Sequence, residues 1–446
     1  MSAYSVEELI RRPAFCCGCG KIHTAHLKDA VIGAGAVCET AAMLRKHGGT
    51  KAYILADENT FAAAGERVIS NLDKNGVRWS LHLYGSERAE PDEKMIGSAV
   101  LHFDHSCDSV MAIGSGVLND TAKIVSKLTG LPLVTVATAP SMDGFASSTS
   151  SVVRDGLKVS VDSSCPVAVI GDTDILCASP MHMMLSGLGD MLAKYVSICE
   201  WRIGNLVTGE YYCGEVAAMV RAALKACVDN ADGLLSRDPV AVGAVMEGLV
   251  LSGIAADWAG VSRPVSGVEH YFSHIWDMRA LEFGAPFDLH GIQCGVGTLY
   301  ALRGYEALKK MTPDASLAKK RFAAFDRERW ENEMRDFLGG AAEPMIAAAK
   351  NSARYDPAAH EARLSAICSK WDGILDVIER ELPSAVWLED LLRSLGAPCS
   401  PAEFGLSDDI IGPTFRFTKD IRDKYILSAL AWDMGVSEEI AEAVCT

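Results

Sequence analysis

The sequence predicts an α/β domain built on a parallel sheet, followed by an all-α domain, with the border near residue 180. Two observations carry this. Strand and helix signals alternate along the first 180 residues, and after Pro180 helical periodicity runs on almost alone. A chain of 446 residues is long enough for two to three domains.

In order, the apolar, glycine-punctuated run Val31-Ile32-Gly33-Ala34-Gly35-Ala36-Val37 reads as a first strand, with a helical pattern through Leu44. Lys51 to Ala56 is a short apolar strand ending at Asp57, and Ala62 to Leu72 a helix. Trp79–Tyr84, Ser109–Ile113 and Leu133–Ala137 read as strands, with helices over Asp92–Phe103 and Asn119–Leu128 between them. Beyond Pro180 the pattern predicts one long helix from Met181 to Trp201. Further helices are expected over Gly214–Asn230, Pro239–Trp258, Gly297–Lys310, Arg321–Phe337, Ala359–Glu381 and Val386–Leu395. The domains are therefore residues 1–180 and 181–446, and a ligand is expected in the cleft between them, beyond the carboxyl ends of the strands.

Composition excludes several functions. Net charge is −16 and no Lys/Arg block occurs, which argues against a nucleic-acid partner. The start of the chain, Met1 to Pro13, is polar and charged, with no signal-peptide pattern. No stretch is expected to reach the ~20 apolar residues of a membrane span. These readings give a cytoplasmic protein with no membrane partner. The 14 cysteines are scattered, many in apolar runs, and read as reduced core residues. Cys16, Cys17 and Cys19 with His23 form a set able to hold zinc. Their close spacing and the lack of a second pair nearby favour a tight turn instead.

Two strand-terminal turns carry the chemistry of the first half. Ile113 leads into Gly114-Ser115-Gly116-Val117-Leu118-Asn119-Asp120, where glycines let backbone N–H groups approach a diphosphate and a helix start adds partial positive charge. The run departs from G-x-G-x-x-G, and a tight turn needing glycine is the alternative. The next strand runs into Thr138-Ala139-Pro140-Ser141-Met142-Asp143-Gly144. Asp57, ending a third strand, suits a ribose 2′-OH and repels an added phosphate, which favours NAD(H) while leaving NADP(H) admissible.

In the second half, Asp190, His270 and His290 make an open carboxylate–imidazole set for a divalent metal. His274 stands four residues after His270, on the same helix face, and is an alternative or additional ligand. The chain has 11 histidines, and three fall between 270 and 290.

Gly187-Leu188-Gly189-Asp190-Met191-Leu192-Ala193-Lys194, Glu269-His270-Tyr271-Phe272-Ser273-His274 and His290-Gly291 resemble the superfamily of glycerol dehydrogenase, iron-type alcohol dehydrogenases and dehydroquinate synthase, with its Rossmann-like sheet. Thr138 through Ser147 and Phe415 through Tyr425 resemble its sn-glycerol-1-phosphate dehydrogenases, bacterial branch. The resemblance implies reversible reduction of dihydroxyacetone phosphate to sn-glycerol-1-phosphate, with one zinc or nickel ion acting as Lewis acid and a nicotinamide donating hydride. It implies that Asp190, His270 and His290 bind the metal and that His274 and Asp143 contact substrate or move a proton. It also implies that Gly116 to Asp120, Thr138 to Ser141 and Ser147 contact the nucleotide, and that the protein is a homodimer. The cysteine-rich stretch has counterparts in the bacterial branch outside the active-site motifs. The alternatives are a glycerol or other polyol dehydrogenase of the same superfamily and a non-catalytic phosphosugar-binding protein. A dehydroquinate synthase-like lyase fits less well, because the Asp190 helix lacks that family's Glu ligand and E-x-x-K pattern.

Overall fold

Along the central strands, neighbouring residues point to opposite faces, and each face has its own core. Ile54, Met111, Ile113, Val134 and Val136 pack on one side with Val37, Leu44, Val68 and Leu72. Tyr53, Leu55, Val110, Ala112 and Leu133 pack on the other with Met95, Ala99, Leu118, Ala122 and Val125. A sheet covered by helices on both faces is what βαβ crossovers produce, and it explains why these strands read as unbroken apolar runs.

This computed structural model describes residues 4–87, 90–155, 157–350 and 352–445. Its strands are β1 (Phe15–Cys16), β2 (Ile22–His23), β3 (Asp29–Gly33), β4 (Lys51–Asp57), β5 (Arg78–Tyr84), β6 (Ser109–Gly114), β7 (Leu133–Ala137), β8 (Thr149–Arg154), β9 (Leu157–Asp162) and β10 (Ala168–Asp172). Six of them form one parallel sheet in the order β3-β10-β7-β6-β4-β5. β1–β2 and β8–β9 are separate antiparallel hairpins.

Two compact units make up the chain: Met1–Met191 with Glu215–Val261, and Leu192–Gly214 with Ser262–Thr446. The first holds all the strands found among the described residues. The second, among the described residues, holds helices and no strand. Its core gathers Trp201, Tyr271, Phe272, Trp276, Tyr300, Tyr305 and Phe415, all buried.

The parallel sheet and the helical second half follow the sequence. Several details differ. The expected single helix Met181–Trp201 is two, Met181–Leu192 and Lys194–Thr208. Apolar periodicity continues through Ala193, which hides the join. Arg321–Phe337 is likewise split into Ala315–Ala323 and Arg327–Leu338. The Pro239–Ala259 helix corrects the expectation that no stretch is long and apolar enough for a membrane span. It has a mean hydropathy of 1.7, and 67% of that apolar window is buried within the protein. It is a core helix, apolar because protein surrounds it.

Candidate active site

In the sheet order, β5 is added on one side of β4 and β6 on the other, so the strand order reverses between the parallel, hydrogen-bonded neighbours β4 and β6. Open α/β sheets bind their ligands beyond the carboxyl ends of strands at such a switch point. Asp57 ends β4 and Gly114 ends β6. The helix Gly116–Thr129 starts directly after, so its first N–H groups face outward from that end. Glycine is required at 114: a Cβ there would lie 2.6 Å from Leu118 Cβ.

The residues expected to contact a nucleotide stand in different settings. Gly114, Gly116, Val117, Thr138 and Ser141 stand on the turns after β6 and β7, with Ser115 and Ser141 joined hydroxyl to hydroxyl and Ser115 also donating to the Ala139 carbonyl. Leu118 is a core side chain. Asn119, Asp120 and Ser147 are tied up in holding the loop after β7. Asn119 is wholly buried, donates to Gly144 O at 3.1 Å and accepts from Thr135 Oγ1 at 2.9 Å. Buried Lys123 donates to Asp120, to Gly144 O and to Ser147 Oγ. Burial pushes the Asp120 carboxyl up, and Lys123 opposes that shift. Asp57 caps the following helix, accepting from Thr60 N–H at 2.8 Å. Lys123 and Ser115 were not selected by sequence reasoning. A lysine inside the otherwise apolar run Thr121–Val125 was the available signal for the first.

The same loop delivers a carboxylate pair within the first unit. Asp190 lies on the last turn of the Met181–Leu192 helix and is fully buried. Its Oδ2 accepts from the Asp143 backbone N–H at 2.9 Å. Asp143 Oδ2 in turn accepts from Ser252 Oγ at 2.9 Å. Carboxylate oxygens of Asp143 and Asp190 lie within 4.8 Å of each other. Two acids held this close repel unless a cation sits by them or one is protonated. Ser252→Ala removes the hydroxyl steering Asp143. We expect ~1 kcal/mol of stability lost and kcat/KM down about fivefold, read by thermal melts and steady-state kinetics.

The second unit brings imidazoles together. His270 and His274 are one turn apart on the helix Val268–Phe283, and His290 opens the helix His290–Leu308. His270 is 5% exposed, and its Nδ1 lies 2.8 Å from Glu269 Oε1. His290 Nδ1 lies 3.0 Å from Ser273 Oγ. The two rings meet at a centroid distance of 5.1 Å. Engaging Nδ1 and leaving Nε2 for an ion is how proteins orient histidine ligands. Cys294, one turn after His290, adds a thiol, and donor atoms of His270, His290 and Cys294 lie within 4.8 Å of one another. Burial raises the Cys294 thiol, but the facing His270 and His290 outweigh it and hold it below the usual range. His274 stacks on His290 at 5.9 Å, half-buried.

Glu269, Ser273 and Cys294 were missed at the sequence level. Cys294 was readable from its i+4 spacing to His290. Glu269 was not, since adjacent helix residues do not normally face each other. It folds back at the helix start, where Oε1 also accepts from Gly267 N–H at 2.6 Å. Both sets of donors, oxygen in one unit and nitrogen with sulfur in the other, suit a divalent transition metal.

Comparison with known proteins decides the family. Over 307 residues, 68% of this chain and 77% of the relative, the sequence is 33% identical to glycerol-1-phosphate dehydrogenase (NAD(P)+) of Halalkalibacterium halodurans. The chain belongs to the glycerol-1-phosphate dehydrogenase family. An archaeal relative of the same name, from Methanosarcina acetivorans, is 34% identical over 274 residues, 61% of this chain and 75% of that one. Glycerol-1-phosphate dehydrogenases of a bacterium and of an archaeon thus both resemble this chain. Residues 31–180 match the model of the iron-containing alcohol dehydrogenase family, which covers the six-stranded sheet almost entirely. The fold is shared with the crystal structure of glycerol dehydrogenase from Schizosaccharomyces pombe. The TM-score is 0.61 at 16% identity, covering 94% of this chain and 90% of that one. The family resemblance read from the motifs therefore holds, and a nicotinamide dinucleotide and a metal are consistent with this glycerol-1-phosphate dehydrogenase family member.

Proposed function

We propose that this protein reversibly reduces dihydroxyacetone phosphate to sn-glycerol-1-phosphate, using NADH, with NADPH as an alternative donor. The observation that carries the reading is the pair His270 and His290, each with Nδ1 engaged, in a chain whose relatives are named glycerol-1-phosphate dehydrogenase. We assign Asp190, His270 and His290 as ligands of one zinc or nickel ion, donors that suit both metals. Residues 1–180 are assigned to the nucleotide and 181–446 to metal and substrate. A cytoplasmic homodimer is part of the same proposal.

When bound, the metal supplies Lewis acidity at the substrate carbonyl, and the nicotinamide supplies hydride. The chain's own residues do the remaining work. Glu269 and Ser273 fix the two imidazoles, so the ligands are set before substrate arrives. Ser252 and the Asp190 contact hold Asp143, which orients a substrate hydroxyl. His274 delivers the proton to the developing alkoxide oxygen. Gly114, Gly116 and the start of the Gly116–Thr129 helix cradle the diphosphate through backbone N–H groups, and Asp57 faces the ribose.

The test is NADH oxidation with dihydroxyacetone phosphate against dihydroxyacetone, followed by chiral analysis of the product. We expect kcat/KM to favour the phosphorylated ketone by ~100-fold, the contribution of charged hydrogen bonds to phosphate. Preference for the unphosphorylated ketone, and for glycerol in the reverse direction, would make the protein a polyol dehydrogenase instead. Bound ligand without NADH oxidation would make it a non-catalytic phosphosugar-binding protein.

A further inference from the structure

Far along the chain from those ligands, the β1–β2 hairpin gathers sulfur and nitrogen at one point. Phe15 pairs with His23 and Cys16 with Ile22. The turn is closed by Cys17 N–H donating to Lys21 O at 2.9 Å and Gly20 N–H donating to Cys17 O at 3.0 Å. Gly20 takes φ +87°, which other side chains rarely adopt. The tight turn expected from the sequence is therefore present, and its result is convergence. Donor atoms of Cys17, Cys19 and His23 lie within 4.8 Å of one another, with Cys19 Sγ 3.3 Å from His23 Nε2. Cys16, the remaining member of the cysteine run, is exposed.

His23 is wholly buried, and its ring orientation is set from behind. Nδ1 lies 2.8 Å from the Trp258 carbonyl, an acceptor only, so Nδ1 carries the proton and Nε2 presents its lone pair to the thiols. The ring stacks on Trp258 at 5.5 Å and 13°, and packs against Phe15. Lys21 Nζ donates to Ala259 O at 2.6 Å, fixing the other arm of the hairpin to the same helix end. A backbone carbonyl locking the tautomer of a buried histidine that faces two thiols is the outer shell of a zinc site. Two sulfurs and an imidazole are also a donor set that selects zinc over magnesium, calcium or manganese.

We propose that Cys17 and Cys19, as thiolates, and His23 through Nε2 bind a zinc ion that is structural and separate from the catalytic metal. Binding releases the two thiol protons to solvent and involves no electron transfer. The ion staples the first strands of the chain to the end of the Pro239–Ala259 helix. A fourth position takes water or a further thiol. The proposal is independent of the assigned reaction.

Zinc content of the purified full-length protein is compared with that of the Cys17→Ser/Cys19→Ser double variant. We expect the variant to hold one equivalent less per chain, to melt at lower temperature and to retain turnover at temperatures where it is folded. Should the variant not fold, wild-type protein is alkylated before and after chelation and mapped by mass spectrometry. Protection of Cys17 and Cys19 that chelator abolishes supports the site. Cobalt substitution adds a spectroscopic check, since thiolate ligation gives a charge-transfer band that the double variant lacks. Equal zinc in both proteins, equal alkylation with and without chelator, or a Cys17–Cys19 disulfide in protein isolated anaerobically would overturn it.

Discussion

His270→Ala is expected to remove the catalytic metal and activity together, with kcat/KM falling about a thousand-fold or more. The contacts of His270 lie among the proposed ligands and their holders, and the helix is packed by other side chains. It is 5% exposed, its Nδ1 meets Glu269 and its ring meets His290, on a helix whose packing comes from Tyr271, Phe272, Ile275 and Trp276. Truncation leaves that packing alone, so the melting temperature should move little while metal content drops. His274→Ala should do the reverse of His270→Ala in one respect: it keeps the metal but lowers turnover by roughly 10²–10⁴-fold, the range of a lost general acid. Elemental analysis is best done in the Cys17→Ser/Cys19→Ser background, so that only the catalytic ion is counted. Full activity in metal-stripped His270→Ala protein would end the metal assignment. Loss of stoichiometric metal in His274→Ala would exchange the roles of the two histidines.

What the sequence discloses of the fold tracks how strongly burial marks each element. β7 was readable to the residue because Leu133–Ala137 is wholly buried and bounded by Gly130 and Pro132 on one side and Pro140 on the other. The β8–β9 hairpin went unread because Thr149–Arg154 and Leu157–Asp162 mix polar and apolar residues and lie outside the main sheet. β10, Ala168–Asp172, is as short and as buried as β7, but it runs straight into the helix Thr173–Leu176 with no proline after it to mark its end. Its insertion between β3 and β7 is a tertiary fact that no local pattern contains. The short helices Ile411–Thr418, Leu427–Asp433 and Ser437–Val444 lack a side-chain N-cap, and the usual start signals are missing with it. At the candidate site the donors themselves were legible, because His and Asp are rare in apolar helices. Their holders, Glu269, Ser273 and Ser252, were not, because each is defined by which neighbour it touches.

The second large effect is expected from a methyl group. Gly187→Ala should destabilise the protein by ~2–3 kcal/mol and lower kcat/KM about a hundredfold, although it touches no proposed ligand. Helix propensity alone argues the opposite way, since alanine in place of glycine inside the Met181–Leu192 helix is worth ~1 kcal/mol. Space decides against it. A Cβ at 187 would stand 1.9 Å from the Pro140 carbonyl oxygen and 2.9 Å from its carbon, both backbone atoms that no rotamer change can move. Relief requires the loop after β7 to shift by ~1.5 Å or more, the difference between that contact and an ordinary one. That loop carries Ser141, whose carbonyl accepts from Ser186 Oγ at 2.8 Å, and Asp143, whose N–H holds Asp190 at 2.9 Å. Displacing it costs those bonds and misplaces both carboxylates at once. Gly243→Ala is the control, in the Pro239–Ala259 helix, where the nearest atom to a new Cβ is Thr173 Cγ2 at an ordinary 3.7 Å. There propensity should win, and the protein should gain up to ~1 kcal/mol with unchanged kinetics. Thermal melts and kcat/KM for the two variants side by side check the argument. A Gly187→Ala protein as stable and active as the Gly243→Ala protein would show that the loop is not braced against this helix.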